Sequence, residues 1–263
     1  MKKALYTIAI VVLLIVFGVS AFLVGSYLLE GKEQEERYDQ LSQIKEDGRN
    51  AAAETTAAAT TETTEETEPT EPGILPDYAE LYEMNSDIVG WIKIEGTKLD
   101  YPVMQTPSEP DYYLYRSFDK EDSTRGCIYA REVCDVNEPS DNITIYGHNM
   151  ADGSMFAALN EYTSKDAWDY NSLIFFDTLT EYHTYKIFAV FKTSASVNKG
   201  FKYHQFVDAE TEEEFNQFIA TCKDLAFYDT GITPVYGDKI ICLSTCEYTL
   251  TNGRLVVAAV RIS

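Results

Sequence analysis

Ile240-Ile241-Cys242-Leu243-Ser244-Thr245-Cys246-Glu247-Tyr248 is followed, after a short polar turn, by Asn252-Gly253-Arg254-Leu255-Val256-Val257. Two apolar runs joined through Asn-Gly read as an antiparallel hairpin. The hairpin sets the thiol of Cys246 at the end of one strand and the guanidinium of Arg254 at the start of the next, alongside it. Upstream, Ile143-Thr144-Ile145-Tyr146-Gly147-His148-Asn149 is another apolar strand, and it ends in a histidine. A nucleophile, an acid/base and an oxyanion partner are then available at one sheet edge. An unperturbed thiol, with a pKa of about 8.5, is mostly protonated at neutral pH, so Cys246 needs a nearby cation or base. His148 and Arg254 are the suppliers.

Working outward, short apolar segments predict further strands at 88–94, 99–104, 127–130, 173–176 and 185–193, which join 143–146, 239–244 and 254–262. Short strands at this density predict a mainly β fold closed into a barrel. Apolar residues at helical spacing predict helices at 77–85, 154–162 and 211–225. The last opens on Thr211 as N-cap, with Glu212, Glu213 and Glu214 in its first turn.

The N-terminal part does not read as globular. After Met1-Lys2-Lys3, the run from Ala4 to Leu29 is long enough to cross a bilayer of about 30 Å as a helix, and the two lysines set residues 1–3 on the cytoplasmic side. A cleaved secretory signal is the alternative, and in either case the remainder is exported. Residues 30–73 form a charged stalk and an Ala/Thr/Glu/Pro linker, with thirteen Asp/Glu against four Lys/Arg. That imbalance predicts an extended, solvated spacer over 51–73. The folded domain is expected over 74–263.

The formal charge of −22 argues against nucleic acid as a partner, because phosphate must be met by basic patches. Contact with lipid is expected only through the N-terminal helix. Five cysteines is an odd number without zinc-like or redox-like pair spacing. Cys242 and Cys246 lie roughly 13 Å apart on a regular strand, too far for a mutual disulfide. No metal or other cofactor is expected.

The segments Thr144-Ile145-Tyr146-Gly147-His148-Asn149-Met150, Leu243-Ser244-Thr245-Cys246 and Gly253-Arg254-Leu255-Val256-Val257 resemble the histidine, cysteine and arginine motifs of the sortases, the transpeptidases of Gram-positive cell walls. Class B is the best match, and the resemblance extends from about Asp77 to Ile262. It implies a closed eight-stranded sortase-like β-barrel with an N-terminal helix, and a further helix inserted in the long connection before the cysteine strand. It also implies roles. Cys246 would be the nucleophile, His148 the acid/base, and Arg254 the oxyanion partner, helped by the N–H of Glu247. Ser244, Thr245, Glu247, Leu114 and Tyr203 would contact the substrate. The implied partners are surface proteins with C-terminal sorting signals, cleaved between Thr and Gly, and an amine of a peptidoglycan precursor or a pilin lysine as acceptor. One departure stands out: many class B enzymes carry Asp-Asn where this chain has Glu109-Pro110, and Pro110 supplies no amide side chain. Two rivals have other signatures. Papain-like peptidases place Cys before His, whereas His148 precedes Cys246 here; a non-catalytic surface-binding module would carry an unreactive thiol.

Overall fold

The computed structural model describes residues 2–59, 73–196 and 198–263. Residues 60–72 of the predicted spacer lie outside them, and its start, 51–59, is helical rather than extended, because it continues the N-terminal helix. The chain divides into two compact units, one ending at Leu41 and one running from Ser42 to Ser263. Helix α1 spans Lys2–Ala59. Along its apolar run Leu13, Phe17 and Phe22, among others, are exposed, and the helix is long and apolar enough to cross a membrane.

The second unit is built on eight strands: β1 (Ile88–Lys93), β2 (Asp100–Met104), β3 (Ile128–Ala130), β4 (Asn142–Tyr146), β5 (Leu173–Thr178), β6 (Thr184–Ser194), β7 (Ile240–Glu247) and β8 (Gly253–Arg261). They close into a barrel in the order β1-β2-β3-β4-β7-β8-β6-β5. Every predicted strand is present. The barrel is mixed, because β2 with β3 and β4 with β7 run parallel.

Strand alternation assigns the two faces of β7 and β8. Ile241, Leu243, Leu255 and Val257 fill the barrel interior. Ile240, Cys242, Val256 and Ala258 face outward and are buried under Phe215, Phe218, Ile219 and Cys222 of α4 (Glu212–Leu225) and under Tyr203. Thr211 caps α4 through Oγ1, which accepts from the N–H of Glu214 at 3.2 Å. The helix inserted before the cysteine strand is therefore there, lying against the outer face of β7, β8 and β6.

Three further features differ from the sequence reading. Residues 156–163 form a 3-10 helix rather than an α-helix. Phe156, Leu159 and Tyr162 are buried at intervals of three, a spacing that the 3-10 turn brings onto one side. A short helix α3 (Lys165–Tyr170), capped by Ser164, had no apolar signature and was not expected. The folded unit also begins at Ser42 rather than near Ile74, because the end of α1 packs on the barrel beside α2 (Pro76–Met84). A Cβ on Gly48 would lie 2.4 Å from the carbonyl oxygen of Pro76. Arg49 Nε meets Asp77 at 2.7 Å, and Lys45 sits 4.8 Å from the ring centroid of Trp91 and 3.8 Å from Asp177.

Candidate active site

Cys246 and Arg254 are directly opposed in the β7–β8 ladder. Opposed residues of an antiparallel pair point to the same face with Cβ atoms roughly 4.5–5.5 Å apart. That face is the one α4 covers lower down. The cover ends at Tyr203, whose hydroxyl lies 2.6 Å from Ser244 Oγ, both side chains buried. One step further, Cys246 and Arg254 are partly exposed. Arg254 donates to the carbonyl of Gly253 at 2.9 Å, and among the described residues no carboxylate pairs with it. A strand guanidinium beside a thiol, without an ionic partner of its own, is available to an incoming oxyanion.

The hairpin turn tolerates little. Asn252 takes a left-handed conformation (φ 51), and a Cβ on Gly253 would lie 2.4 Å from the carbonyl oxygen of Glu247. Only Asn-Gly or a near equivalent brings Arg254 back at this register.

The parallel β4–β7 ladder brings the histidine to the same place. Its last pair is Tyr146 with Ser244, so His148 and Cys246 each come two residues later. Beyond that pair the contacts change type. Gly147 N–H still donates to the Ser244 carbonyl at 3.2 Å, after which Thr245 Oγ1 donates to the Gly147 carbonyl at 2.8 Å and Asn149 Nδ2 to the Cys246 carbonyl at 2.9 Å. Two side chains thus continue the ladder and hold His148 between them. Nε2 of His148 is 2.9 Å from the carbonyl oxygen of Leu114. A carbonyl only accepts, so Nε2 carries a proton, and Nδ1 is the nitrogen left to exchange one. Tyr115, exposed, lies with its ring centroid 5.8 Å from that of His148.

The structure brings all eight sequence-predicted residues to this end of the barrel, though several act by other atoms than expected. Leu114 meets His148 through its carbonyl. Thr245 is buried and faces away from Cys246, its hydroxyl used on Gly147. Glu247 is also buried. Its carboxylate takes Lys192 at 2.8 Å and caps the N–H groups of Thr249 and Leu250, so direct side-chain contact with a substrate gives way to support of the hairpin. Burial pushes the Glu247 pKa up, but Lys192 and Thr249 outweigh it and hold it down to about 2. Asp152, in the loop after His148, is likewise held to about 2: against the opposing effect of burial, it accepts from Ser154 and from the buried Arg125.

These depressed carboxylates predict acid behaviour. Their ordinary values are 4.5 and 3.8, so their contribution to stability is complete above about pH 4.5 and is lost as pH falls toward 2. Melting temperatures measured across that window should fall, and Glu247→Gln should show a flatter profile than the wild type. Equal slopes would mean that Lys192 does not hold this carboxylate in the folded state.

With the geometry established, known proteins supply the family. The sequence profile described as the sortase domain matches residues 92–262. The chain belongs to the sortase family. Sortase B of Listeria monocytogenes is 33% identical over 250 residues, covering 94% of this sortase and 92% of the relative. Sortase B of Staphylococcus aureus is 31% identical over 188 residues, covering 71% and 75%. Among solved structures, a Staphylococcus aureus sortase B-substrate complex superposes with a TM-score of 0.73 at 27% identity, over 89% of this sortase and 99% of that chain. Sortase B of Bacillus anthracis gives 0.70 at 27% identity, over 90% and 99%. This sortase is therefore of class B, a family of cysteine transpeptidases.

Sequence reasoning passed over Lys192, Asn160 and the Arg125–Asp152 pair. Asn149 lay inside the quoted histidine motif without a role. Lys192 is 55 positions from Glu247, and no local pattern announces such a partner.

Proposed function

We propose that this sortase is anchored in the membrane by residues 4–29, with its N-terminus cytoplasmic and its barrel outside. There it transfers proteins from a Thr-Gly-type sorting signal to an amine of a peptidoglycan precursor or a pilin lysine. The observation that supports this most is the partly exposed Cys246 opposite an Arg254 without an ionic partner, with His148 two residues past the same ladder.

The Cys246 sulfur attacks the Thr carbonyl carbon as a thiolate, and the carbonyl electron pair moves onto oxygen. Arg254 and the N–H of Glu247 receive that oxyanion. Collapse of the intermediate breaks the Thr-Gly C–N bond, and His148 gives a proton to the departing Gly amine. A thioester remains. The acceptor amine loses a proton to His148 as it attacks, the new amide forms, and the Cys246 thiolate leaves. Leu114, Tyr203 and Ser244 form the edge of the groove in which the signal lies; Thr245 and Glu247 hold its walls.

The test is intact-mass analysis of the full chain in detergent, incubated with peptides carrying varied residues before Thr-Gly, with and without amine acceptors. A mass gain equal to the peptide up to Thr, discharged as an amide product when amine is added, is expected. Cleavage in a broad panel that proceeds only to free acid, amine present, would overturn the transpeptidase assignment in favour of hydrolysis.

A further inference from the structure

The Asn149 amide lies on the peptide group that links Cys246 to Glu247. Its Nδ2 donates to the Cys246 carbonyl oxygen at 2.9 Å. That carbonyl and the N–H of Glu247 belong to one planar peptide unit, so a proton held against the oxygen fixes the plane. It also draws electron density toward the oxygen and leaves the N–H at the other end a stronger donor, as hydrogen bonds in chains polarise one another. The Asn149 amide is itself oriented. Asn160 Nδ2 donates to Asn149 Oδ1 at 2.9 Å and to the Ala157 carbonyl at 2.8 Å, which settles which end of the Asn149 amide faces Cys246. Asn160 sits on the 3-10 helix 156–163, whose first N–H, that of Phe156, donates to the His148 carbonyl at 2.9 Å. Tyr248, just past the nucleophile, reaches the Asn149 carbonyl through its hydroxyl at 3.4 Å.

We infer that Asn149, oriented by Asn160, is a positioning residue that aims and strengthens the Glu247 N–H as an oxyanion donor. It touches no reacting atom; it acts through the peptide bond after the nucleophile. The inference rests on the proposed function, in which Cys246 is the nucleophile and the Glu247 N–H an oxyanion donor, and is independent of which sorting signal is used.

Two reagents separate this role from a merely structural one. Acetylation of Cys246 by p-nitrophenyl acetate passes through a tetrahedral oxyanion: the sulfur–carbonyl bond forms, the ester C–O bond breaks, and p-nitrophenolate leaves. Alkylation by iodoacetamide displaces iodide directly and forms no oxyanion. With the full chain in detergent, and adducts read by intact mass, Asn149→Ala is expected to acetylate about tenfold more slowly than wild type. That is smaller than the ~10²–10³-fold that losing an oxyanion donor outright costs. Alkylation should keep the wild-type rate. Asn160→Ala, at an exposed position, should show the same selective slowing to a smaller degree, and it carries the test if Asn149→Ala does not fold. Unslowed acetylation in both variants would overturn the inference. So would a parallel loss of acetylation and alkylation, since that reports a displaced thiol rather than a weakened donor. If Cys246→Ala acquires the acetyl group as fast as wild type, the nucleophile assignment and this inference fall together, whereas unslowed Asn149→Ala beside an inert Cys246→Ala removes only the inference.

Discussion

Cys246→Ala will form no thioacyl adduct with any sorting peptide, and its cleavage rate will fall to background, on the order of 10⁶-fold where a nucleophile is removed outright. The other four thiols cannot substitute for Cys246. Cys127, Cys134, Cys222 and Cys242 are all buried, and burial pushes the thiols of Cys134, Cys222 and Cys242 up, so none of these three forms a thiolate at neutral pH. No neighbour can take over the attack. The same reasoning predicts that iodoacetamide labels one thiol in the native wild type and none in Cys246→Ala. Adduct formation by the variant, or several labelled thiols in the folded wild type, would remove Cys246 from its place in the chemistry.

Arg254→Ala should slow acyl-enzyme formation by roughly 10²–10³-fold, the usual cost of losing one oxyanion donor. Stability should change little, within about 0.5 kcal/mol, because the guanidinium has no carboxylate partner among the described residues and its one hydrogen bond is to the adjacent Gly253 carbonyl. Arg254→Lys keeps the charge and loses the planar fork, so it should recover part of the rate and not all of it. Single-turnover kinetics beside thermal melts would separate the two effects. A wild-type acylation rate in Arg254→Ala would leave the oxyanion to the backbone alone.

Much of this fold was legible because its strands are short, apolar and cleanly bounded. The hairpin of β7 and β8 was legible to the point of setting Arg254 alongside Cys246, since Asn252-Gly253 marks the turn; that the two are directly opposed is seen only in the ladder. The strand ending in His148 could be placed beside them by its motif. Side-chain partners far apart in sequence were not legible: Glu247 looked like a substrate contact because nothing near it shows Lys192, and Leu114 was singled out for a side chain when its carbonyl is what meets His148. The 3-10 helix at 156–163 illustrates a different limit. Residues at intervals of three suit both a 3-10 helix and one face of an α-helix, so the spacing does not distinguish them. Lys45 and Arg49 read as ordinary stalk charges, spaced four apart on a solvated helix. Their carboxylate partners, Asp177 and Asp77, become visible only once the barrel is closed.

That last contact changes what cutting the chain would accomplish. Among the described residues Lys45 and Arg49 are the cations facing Asp77 and Asp177, which also accept from the hydroxyls of Tyr182 and Tyr78, with the His183 backbone N–H on Asp177 as well. Gly48 lies so close to the Pro76 backbone that the helix segment is fitted to this one place. A protease cutting the Thr/Glu-rich stretch between Ala59 and Gly73 would sever the chain without parting the helix from the barrel. The docked end of the helix would stay on as a separate fragment, clamped by its salt bridges. Cutting out an intact folded unit takes a cut before Ser42, and a fragment trimmed to Ile74 would leave two carboxylates without the cations they fold against.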